Sequence, residues 1–157
     1  MEEEREFKRG IQIAYRAISR REKSTEEIRH LLENKEVEET VIEEIIQKLT
    51  KEKYLDDRRF TEIMVRSKKN YTKDGPLKIK QFLYKKGIRE DLADQIIEEK
   101  YPPEEELSII NELIMRKHVS PKKNFLQKKQ FLYNFLMNKG FSPQYIMEEL
   151  NEHIKKE

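Results

Sequence analysis

One apolar pattern occurs three times along the chain, and this repetition limits the possible folds more than any other feature. The second copy lies 51 residues after the first, and the third lies 53 residues after the second. Apolar side chains recur at matching places in the copies: Ile28/Ile79/Leu132, Leu32/Leu83/Leu136, Val37/Ile88/Phe141 and Ile46/Ile97/Leu150. A period of about 50 residues is typical of arrays of similar helical units. The sequence therefore predicts tandem copies of one small unit.

Within each copy, apolar residues follow the three- and four-residue spacing of amphipathic helices. Charged residues make up 41% of the chain and hydrophobic residues 36%, with 4 Gly and 5 Pro. Such a composition disfavours a thick core and a sheet with many tight turns. We expect an all-α fold of nine helices, in three tandem three-helix, helix-turn-helix-like repeats that form an elongated, curved array. The expected repeats are residues 1–56, with an acidic extension at 1–9, residues 57–102 and residues 103–157.

Local signals place several helix ends. Ser24 and Glu27 have the spacing of a capping box at the start of a helix. Gly75-Pro76 predicts another helix start, since proline is favoured in the first helical turn. Gly87 and Gly140 predict left-handed residues that end helices, whereas the first repeat has Glu36 at this place.

The residue types argue against catalysis and against a bound metal or cofactor. The chain has no cysteine, which excludes disulfides, thiol catalysis and thiolate metal sites. The three histidines, His30, His118 and His153, are scattered and form no metal-binding motif. The many carboxylates follow the exposed faces of amphipathic helices, and glycine-rich phosphate loops are missing. We therefore predict no catalytic, metal or cofactor-binding residue, and a protein that is not an enzyme.

Nothing in the sequence predicts export or membrane insertion. The first residues are acidic, without the apolar stretch of a signal peptide. The most apolar run, residues 131–137, is far shorter than the roughly 20 residues that span a bilayer. We expect a cytoplasmic protein.

Positive charge is concentrated in the middle third of the chain. Residues 1–57 carry 12 Lys and Arg against 16 Asp and Glu, residues 58–102 carry 12 against 7, and residues 103–157 carry 9 against 8. Lysine and arginine on one surface can neutralise phosphates, and exposed tyrosine can stack on bases. The candidate contact residues are Arg66, Lys68, Lys69, Tyr71, Lys73, Lys78, Lys80, Lys85, Lys86 and Arg89, with Lys128 and Lys129 as a smaller group. The alternative is that these lysines only solubilise exposed helix faces.

The turns at Gly87 and Gly140 suit a helix-turn-helix motif. In sequence-specific readers, the helix after the turn enters the major groove. Here that helix begins with acid, at Glu38 and Glu39 in the first repeat and at Glu90 and Asp91 in the second. Carboxylates facing phosphates are repelled, so we expect any DNA binding to be nonspecific.

Several stretches resemble a known family, the bacterial RecX regulators of the RecA recombinase. Tyr54-Leu55-Asp56-Asp57-Arg58-Arg59-Phe60 resembles the family's Tyr-Leu-Asp-Asp-x-x-Phe signature. Similar matches occur at residues 17–28, at Gly75-Pro76-Leu77-Lys78-Ile79, at residues 83–88 and at residues 139–142. The sequence departs from the family at Lys53, where Gly is frequent, and at Thr61, where Ala is common. The first repeat also has Glu36 where the other two repeats have Gly.

The signature itself has a structural interpretation. Asp56 or Asp57 can cap the next helix, because an aspartate at this place accepts a free backbone N–H. Tyr54, Leu55 and Phe60 can form a hydrophobic staple between two repeats. We assign a structural role, and not a catalytic one, to these residues and to Gly75, Pro76, Gly87 and Gly140.

The resemblance implies a non-catalytic modulator of DNA repair, recombination and the SOS response. Such proteins bind the RecA filament on single-stranded DNA and inhibit its ATPase, strand-exchange and coprotease activities. The implied partners are RecA and nonspecifically bound DNA, and we expect a monomer. The alternative is a nonspecific DNA-binding repeat protein that acts without a recombinase, and a third possibility is a helical adaptor for another protein.

Overall fold

The structure, a computed structural model, describes residues 1–154, which form nine α-helices and one turn of π-helix. The helices are α1 (Glu2–Arg20), α2 (Thr25–Asn34), α3 (Glu39–Lys51), α4 (Asp57–Ser67), α5 (Pro76–Lys85), α6 (Glu90–Lys100), α7 (Pro103–Arg116), α8 (Phe125–Asn138) and α9 (Pro143–His153). The π turn, Lys68–Thr72, continues α4. The described part of the chain contains no strand, so the predicted all-α class and its three-helix units are confirmed. None of these nine helices is long and apolar enough to cross a bilayer.

The predicted caps form at the predicted residues. The Ser24 hydroxyl accepts the Glu27 N–H, and the Glu27 carboxylate accepts the Ser24 N–H, which completes the capping box of α2. At α4 the capping residue is Asp56, whose Oδ1 lies 3.1 Å from the Arg59 amide nitrogen. Each cap satisfies an N–H group that the helix itself leaves without a partner.

The middle helices of the three repeats meet end to end, in the order α8, α5, α2. At the joint between repeats 2 and 3, Gly75 N–H donates to the Lys139 carbonyl at 2.7 Å, and Leu77 N–H donates to the Gly140 carbonyl at 3.0 Å. The carbonyls of the two residues that follow α8 therefore satisfy N–H groups at the start of α5. Since both ends otherwise lack partners, each helix end completes the other.

The joint between repeats 1 and 2 has the same construction. The Ser24 hydroxyl donates to the Lys86 carbonyl at 2.7 Å, at the C-terminal end of α5. Ser24 corresponds to Gly75 in the repeat alignment, and Lys86 corresponds to Lys139. A serine hydroxyl in the first joint thus does what a backbone N–H does in the second.

The two outer ends of the array lack these groups. In the first repeat, the Lys35 carbonyl accepts the Arg9 guanidinium at 3.0 Å. In the third repeat, the position equivalent to Ser24 is Lys128, whose N–H donates to the Asn124 carbonyl at 2.9 Å inside α8. Within residues 1–154, the groups equivalent to those of the joints are thus engaged inside their own repeats.

The apolar core is divided unequally among the repeats. One buried cluster lies within repeat 1, from Ile11 to Leu55. A second runs from Phe60 to Leu150 and is shared by repeats 2 and 3. The chain exposes 10361 Å² of accessible surface, whereas a compact monomer of 19.2 kDa exposes about 8400 Å². The excess fits the predicted elongated array.

The turn after each middle helix contains a left-handed residue: Glu36 at φ 60°, Gly87 at φ 78° and Gly140 at φ 88°. In repeats 2 and 3 this residue also touches the preceding repeat. A Cβ at Gly87 would lie 2.4 Å from the Cβ of Glu26, and a Cβ at Gly140 would lie 2.4 Å from the amide nitrogen of Lys78. Glu36 is exposed, so its side chain is tolerated despite the positive φ.

Opposite effects are therefore expected at equivalent positions. Gly87→Ala should lower the free energy of unfolding by about 2 kcal/mol or more, because it adds left-handed strain and a collision in the joint. Glu36→Gly should raise it by about 0.5–1 kcal/mol, because the strain disappears where no joint exists. Urea unfolding of both variants checks this, and a loss of stability in Glu36→Gly would contradict it.

Candidate functional site

The π turn carries Tyr71, the tyrosine among the candidate contact residues. Tyr71 is 85% exposed and lies between the exposed Asn70 and Thr72. Lys68, at the start of the turn, holds its ammonium group 4.0 Å above the centre of the Phe82 ring on α5. This cation–π contact fixes the turn against α5 and leaves Tyr71 free to stack on a base or on a partner side chain.

Two of the predicted contact lysines anchor the same turn to α7. Lys69 forms an ion pair with Glu105 and donates to the Lys100 carbonyl at 2.8 Å. Lys73, at the end of the turn, forms an ion pair with Glu112 at 3.2 Å. Both lysines therefore already have an acidic partner within the molecule, which a phosphate would have to replace.

Two further predicted lysines join helices. Lys80 on α5 pairs with Asp94 on α6 at 2.9 Å. Lys86, which follows α5, lies 3.4 Å from Glu27 on α2 and 5.4 Å from the centre of the Phe82 ring. Lys86 therefore contributes to the first joint as well as to the positive surface beside it.

The freely exposed part of the predicted cluster is smaller than the sequence suggests. Arg66 and Lys85 are exposed and, within residues 1–154, have no carboxylate paired with them. Lys78 is half exposed and lies 3.5 Å from the buried Asp74. Arg89 is exposed and lies 3.7 Å from Asp91. Tyr71 and these four cations, named here the available cations of repeat 2, are thus the most exposed of its candidate contact residues.

Lys128 and Lys129 lie apart from that surface. They belong to the first turn of α8, about 16 Å along the helix axis from the joint with α5. Lys129 donates to Asn151 Oδ1 at 2.7 Å and thereby links α8 to α9. The structure does not bring this pair together with the cations of repeat 2.

The structure adds a lysine that the sequence reasoning missed. Lys23, in the loop before α2, lines a cleft at the first joint together with Lys85, Lys86, His30 and Asn34. The density of positive charge along the chain does not indicate this residue, because Lys23 belongs to the net acidic first third of the sequence. The local run Arg20-Arg21-Glu22-Lys23 is the signal that could have revealed it.

The electrostatics of this cleft are unfavourable for Lys23. Burial lowers the pKa of Lys23, and repulsion from Arg21 lowers it further, while Glu27 opposes the shift. Glu27 is already occupied, since it accepts Arg21 and the Ser24 N–H and pairs with Lys86. These contacts keep the pKa of Glu27 below its usual range even though burial raises it.

The signature residues lie at the first joint. Asp57 Oδ1 accepts the Thr25 N–H at 2.8 Å, which attaches the start of α4 to the start of α2. Arg59 donates to Glu22 at 2.7 Å and to the Lys53 carbonyl at 2.8 Å. The signature therefore joins repeat 1 to repeat 2 through polar contacts.

The apolar members of the signature separate between the two cores. Leu55 is buried in the cluster of repeat 1, and Phe60 is buried in the cluster of repeats 2 and 3. Tyr54 is 47% exposed and packs edge-on against Tyr15, with ring centres 5.2 Å apart. The left-handed Lys53 turns the chain back towards α3, so Tyr54 packs inside repeat 1 instead of stapling the repeats together.

Comparison with known proteins agrees with this architecture. Residues 11–49 match the family model of the first three-helix domain of RecX, and residues 56–97 match that of the second. The crystal structure of RecX from Lactobacillus salivarius superimposes with a TM-score of 0.78 at 26% identity, over 94% of this chain and 96% of that one. The chain belongs to the RecX family. Lys53, where the family often has Gly, and Glu36, where repeats 2 and 3 have Gly, both have positive φ.

Similar RecX relatives are longer. The regulatory protein RecX of Oceanobacillus iheyensis is 40% identical over 126 residues, which cover 79% of this chain and 46% of the relative. That of Bacillus cytotoxicus is 35% identical over 144 residues, which cover 89% of this chain and 52% of the relative. The chain thus spans about half the length of the curated relatives it matches.

Residues 1–154 contain no group of three or more His, Asp or Glu side chains placed to hold a metal ion. The carboxylates named above are instead partners of lysines, arginines and helix N–H groups. Their arrangement supports a binding surface stabilised by ion pairs.

Asp57 provides a test of the structural interpretation of the signature. Asp57→Ala should lower the free energy of unfolding by about 1–2 kcal/mol, because the Thr25 N–H at the first joint loses its acceptor. Asp91→Ala is the matched control, since Asp91 also lies in the first turn of a helix but is highly exposed. Thermal unfolding compares the two variants, and equal melting temperatures would contradict the role of Asp57 in the joint.

Proposed function

We propose that this RecX-family chain is a non-catalytic regulator that binds the RecA filament on single-stranded DNA and inhibits its ATPase, strand-exchange and coprotease activities. The observation that carries the proposal is the match of two consecutive repeats to RecX three-helix domains. Relatives named regulatory protein RecX support it, as does the agreement with the solved RecX fold over 94% of the chain.

The shape of the molecule suits a filament partner. Three middle helices joined end to end give a long, narrow body, which can lie along a groove and contact several protomers of a filament. The exposed residues of α5 are mixed in character: Leu77, Gln81, Tyr84 and Lys85 recur at helical spacing. Aromatic and apolar side chains beside cations are typical of protein interfaces.

The charge distribution supports contact with both components of the filament. The available cations of repeat 2 can meet DNA phosphates or acidic protein surface, whereas the acidic helices of repeat 1 can meet basic surface. The expected monomer needs no second copy to present these surfaces.

The alternative function is nonspecific DNA binding without a recombinase. The observation that favours it is Tyr71, which is 85% exposed and lies in the basic repeat. An aromatic ring beside a cation is a common platform for single-stranded nucleic acid. This alternative predicts DNA binding that weakens with salt and has no consequence for RecA.

ATP hydrolysis by RecA on single-stranded DNA distinguishes the two functions. The protein is titrated below one molecule per RecA protomer, and a parallel series contains excess single-stranded DNA. A filament regulator inhibits at these ratios and keeps its effect when DNA is in excess. Absence of inhibition, or its removal by extra DNA, would contradict the proposal and favour plain DNA binding.

Charge reversal tests the surface of repeat 2. Arg66→Glu combined with Arg89→Glu should raise the concentration for half-maximal RecA inhibition about tenfold, because both exchanged charges face the partner. The fold should tolerate the change at residue 89, since Glu38 occupies the equivalent position in repeat 1.

The matched control is Arg5→Glu combined with Arg16→Glu, which changes the net charge equally on exposed positions of α1. The control should inhibit within about twofold of the unmodified protein, since long-range charge effects on binding are screened by salt. Equal losses in both double variants would refute the assignment of the contact to repeat 2.

A further inference from the structure

The cleft at the first joint gathers cations from two repeats. Lys23 comes from the loop before α2, whereas Lys85 and Lys86 come from the end of α5. The cleft has a volume of about 340 Å³ and is open to solvent, with His30 and Asn34 at its edge. Residues 62 positions apart in sequence thus converge only because α5 meets α2 end to end.

The cleft lacks enough negative charge for its cations. Glu27 is the carboxylate that lines it, and Glu27 already interacts with Arg21 and Lys86. Within residues 1–154, Lys23 and Lys85 have no paired carboxylate, although Lys23 is partly buried. A partly buried cation among other cations is destabilised, and an added anion would relieve this repulsion.

The cations that remain favour a phosphate over a carboxylate. The cleft is lined by lysines and not by arginines, and Arg21, which could bind a planar carboxylate through two nitrogens, is already engaged with Glu27. Lysine ammonium groups are left, and they come from two different repeats. A tetrahedral phosphate accepts hydrogen bonds from several directions, which matches this arrangement.

We propose that this cleft is a seat for one backbone phosphate of single-stranded nucleic acid, bound between Lys23 of repeat 1 and Lys85 of repeat 2. This inference adds a phosphate-binding site to the proposed function. It rests on the proposed function in one respect, because that function names single-stranded DNA as the source of the phosphate. Because the phosphate bridges two repeats whose apolar cores are separate, its binding also tightens the first joint.

The test uses the full chain without RecA, so that its outcome is independent of filament regulation. Binding of a fluorescent 20-nucleotide oligothymidylate is measured by anisotropy at several salt concentrations. The test variant is Lys23→Gln with Lys85→Gln, which leaves Lys86 and the joint contacts in place. The control is Lys8→Gln with Lys51→Gln, which removes the same charge from exposed positions of α1 and α3.

The seat predicts a loss of affinity of about tenfold in the test variant and less than about twofold in the control. The slope of log affinity against log salt should fall by about 0.7 in the test variant, as expected for one lost phosphate contact on a single strand. Equal losses in both variants would overturn the proposal, and so would failure of the unmodified protein to bind the oligonucleotide at low salt.

Two further measurements test whether Lys23 supports the fold and whether the cleft prefers a phosphate to a carboxylate. Lys23→Gln alone should melt at the same temperature as the unmodified protein or higher, since it removes a repelled cation. A lower melting temperature would mean that Lys23 supports the fold, and it would overturn the seat.

A polyglutamate peptide serves as the acidic-protein probe. If Lys23 and Lys85 bind that peptide but do not bind DNA, the phosphate assignment would also be overturned.

If the DNA results agree with the seat while RecA inhibition is absent, the seat stands and the proposed regulation fails. If RecA inhibition is present while both double variants bind DNA like the unmodified protein, the regulation stands and the seat fails.

Discussion

The fold depends on hydrogen bonds between the end of one helix and the start of another. Every helix leaves carbonyls unsatisfied at its C-terminal end and N–H groups unsatisfied at its N-terminal end. Here the Lys139 and Gly140 carbonyls after α8 accept N–H groups at the start of α5, and the Lys86 carbonyl after α5 accepts the Ser24 hydroxyl before α2. Because the Ser24 hydroxyl also caps α2, one side chain serves both its own helix and the joint. The elongated array follows directly from this end-to-end arrangement.

The two joints differ in what surrounds these hydrogen bonds. Around the second joint, repeats 2 and 3 share one buried apolar cluster, so hydrophobic burial stabilises their relative position. Around the first joint, Asp57, Arg59 and Lys86 make polar contacts while the apolar clusters remain separate. Polar contacts near the surface are individually weak and sensitive to salt. A bound anion would therefore influence the first joint more than the second, and Lys23 and Lys85 lie beside that joint.

Much of the fold was predictable from sequence because its determinants are local. The apolar period predicts the three-helix units, and Ser24 and Glu27 predict a helix cap. Gly87 and Gly140 predict left-handed residues in the turns, and the structure confirms these predictions. The ion-pair partners of the candidate contact residues were not predictable in the same way. Lys69 and Lys80 fall within the basic segment, but their acidic partners, Glu105 and Asp94, lie on other helices. Tyr54 was expected to bridge two repeats, yet a left-handed Lys53 places it against Tyr15.

The sequence by itself determined the helices, their ends and their membership of three similar units. These features arise from backbone hydrogen bonds and from apolar periodicities within about 20 residues, so they are visible in the order of the amino acids. Only the tertiary structure decided which charges remain available, because an ion pair depends on which helices pack together. Lys69 meets an acid 36 residues away, whereas Lys23 meets further cations at the end of α5. Net charge along the chain therefore located the basic repeat, but packing determined which lysines have an acidic partner.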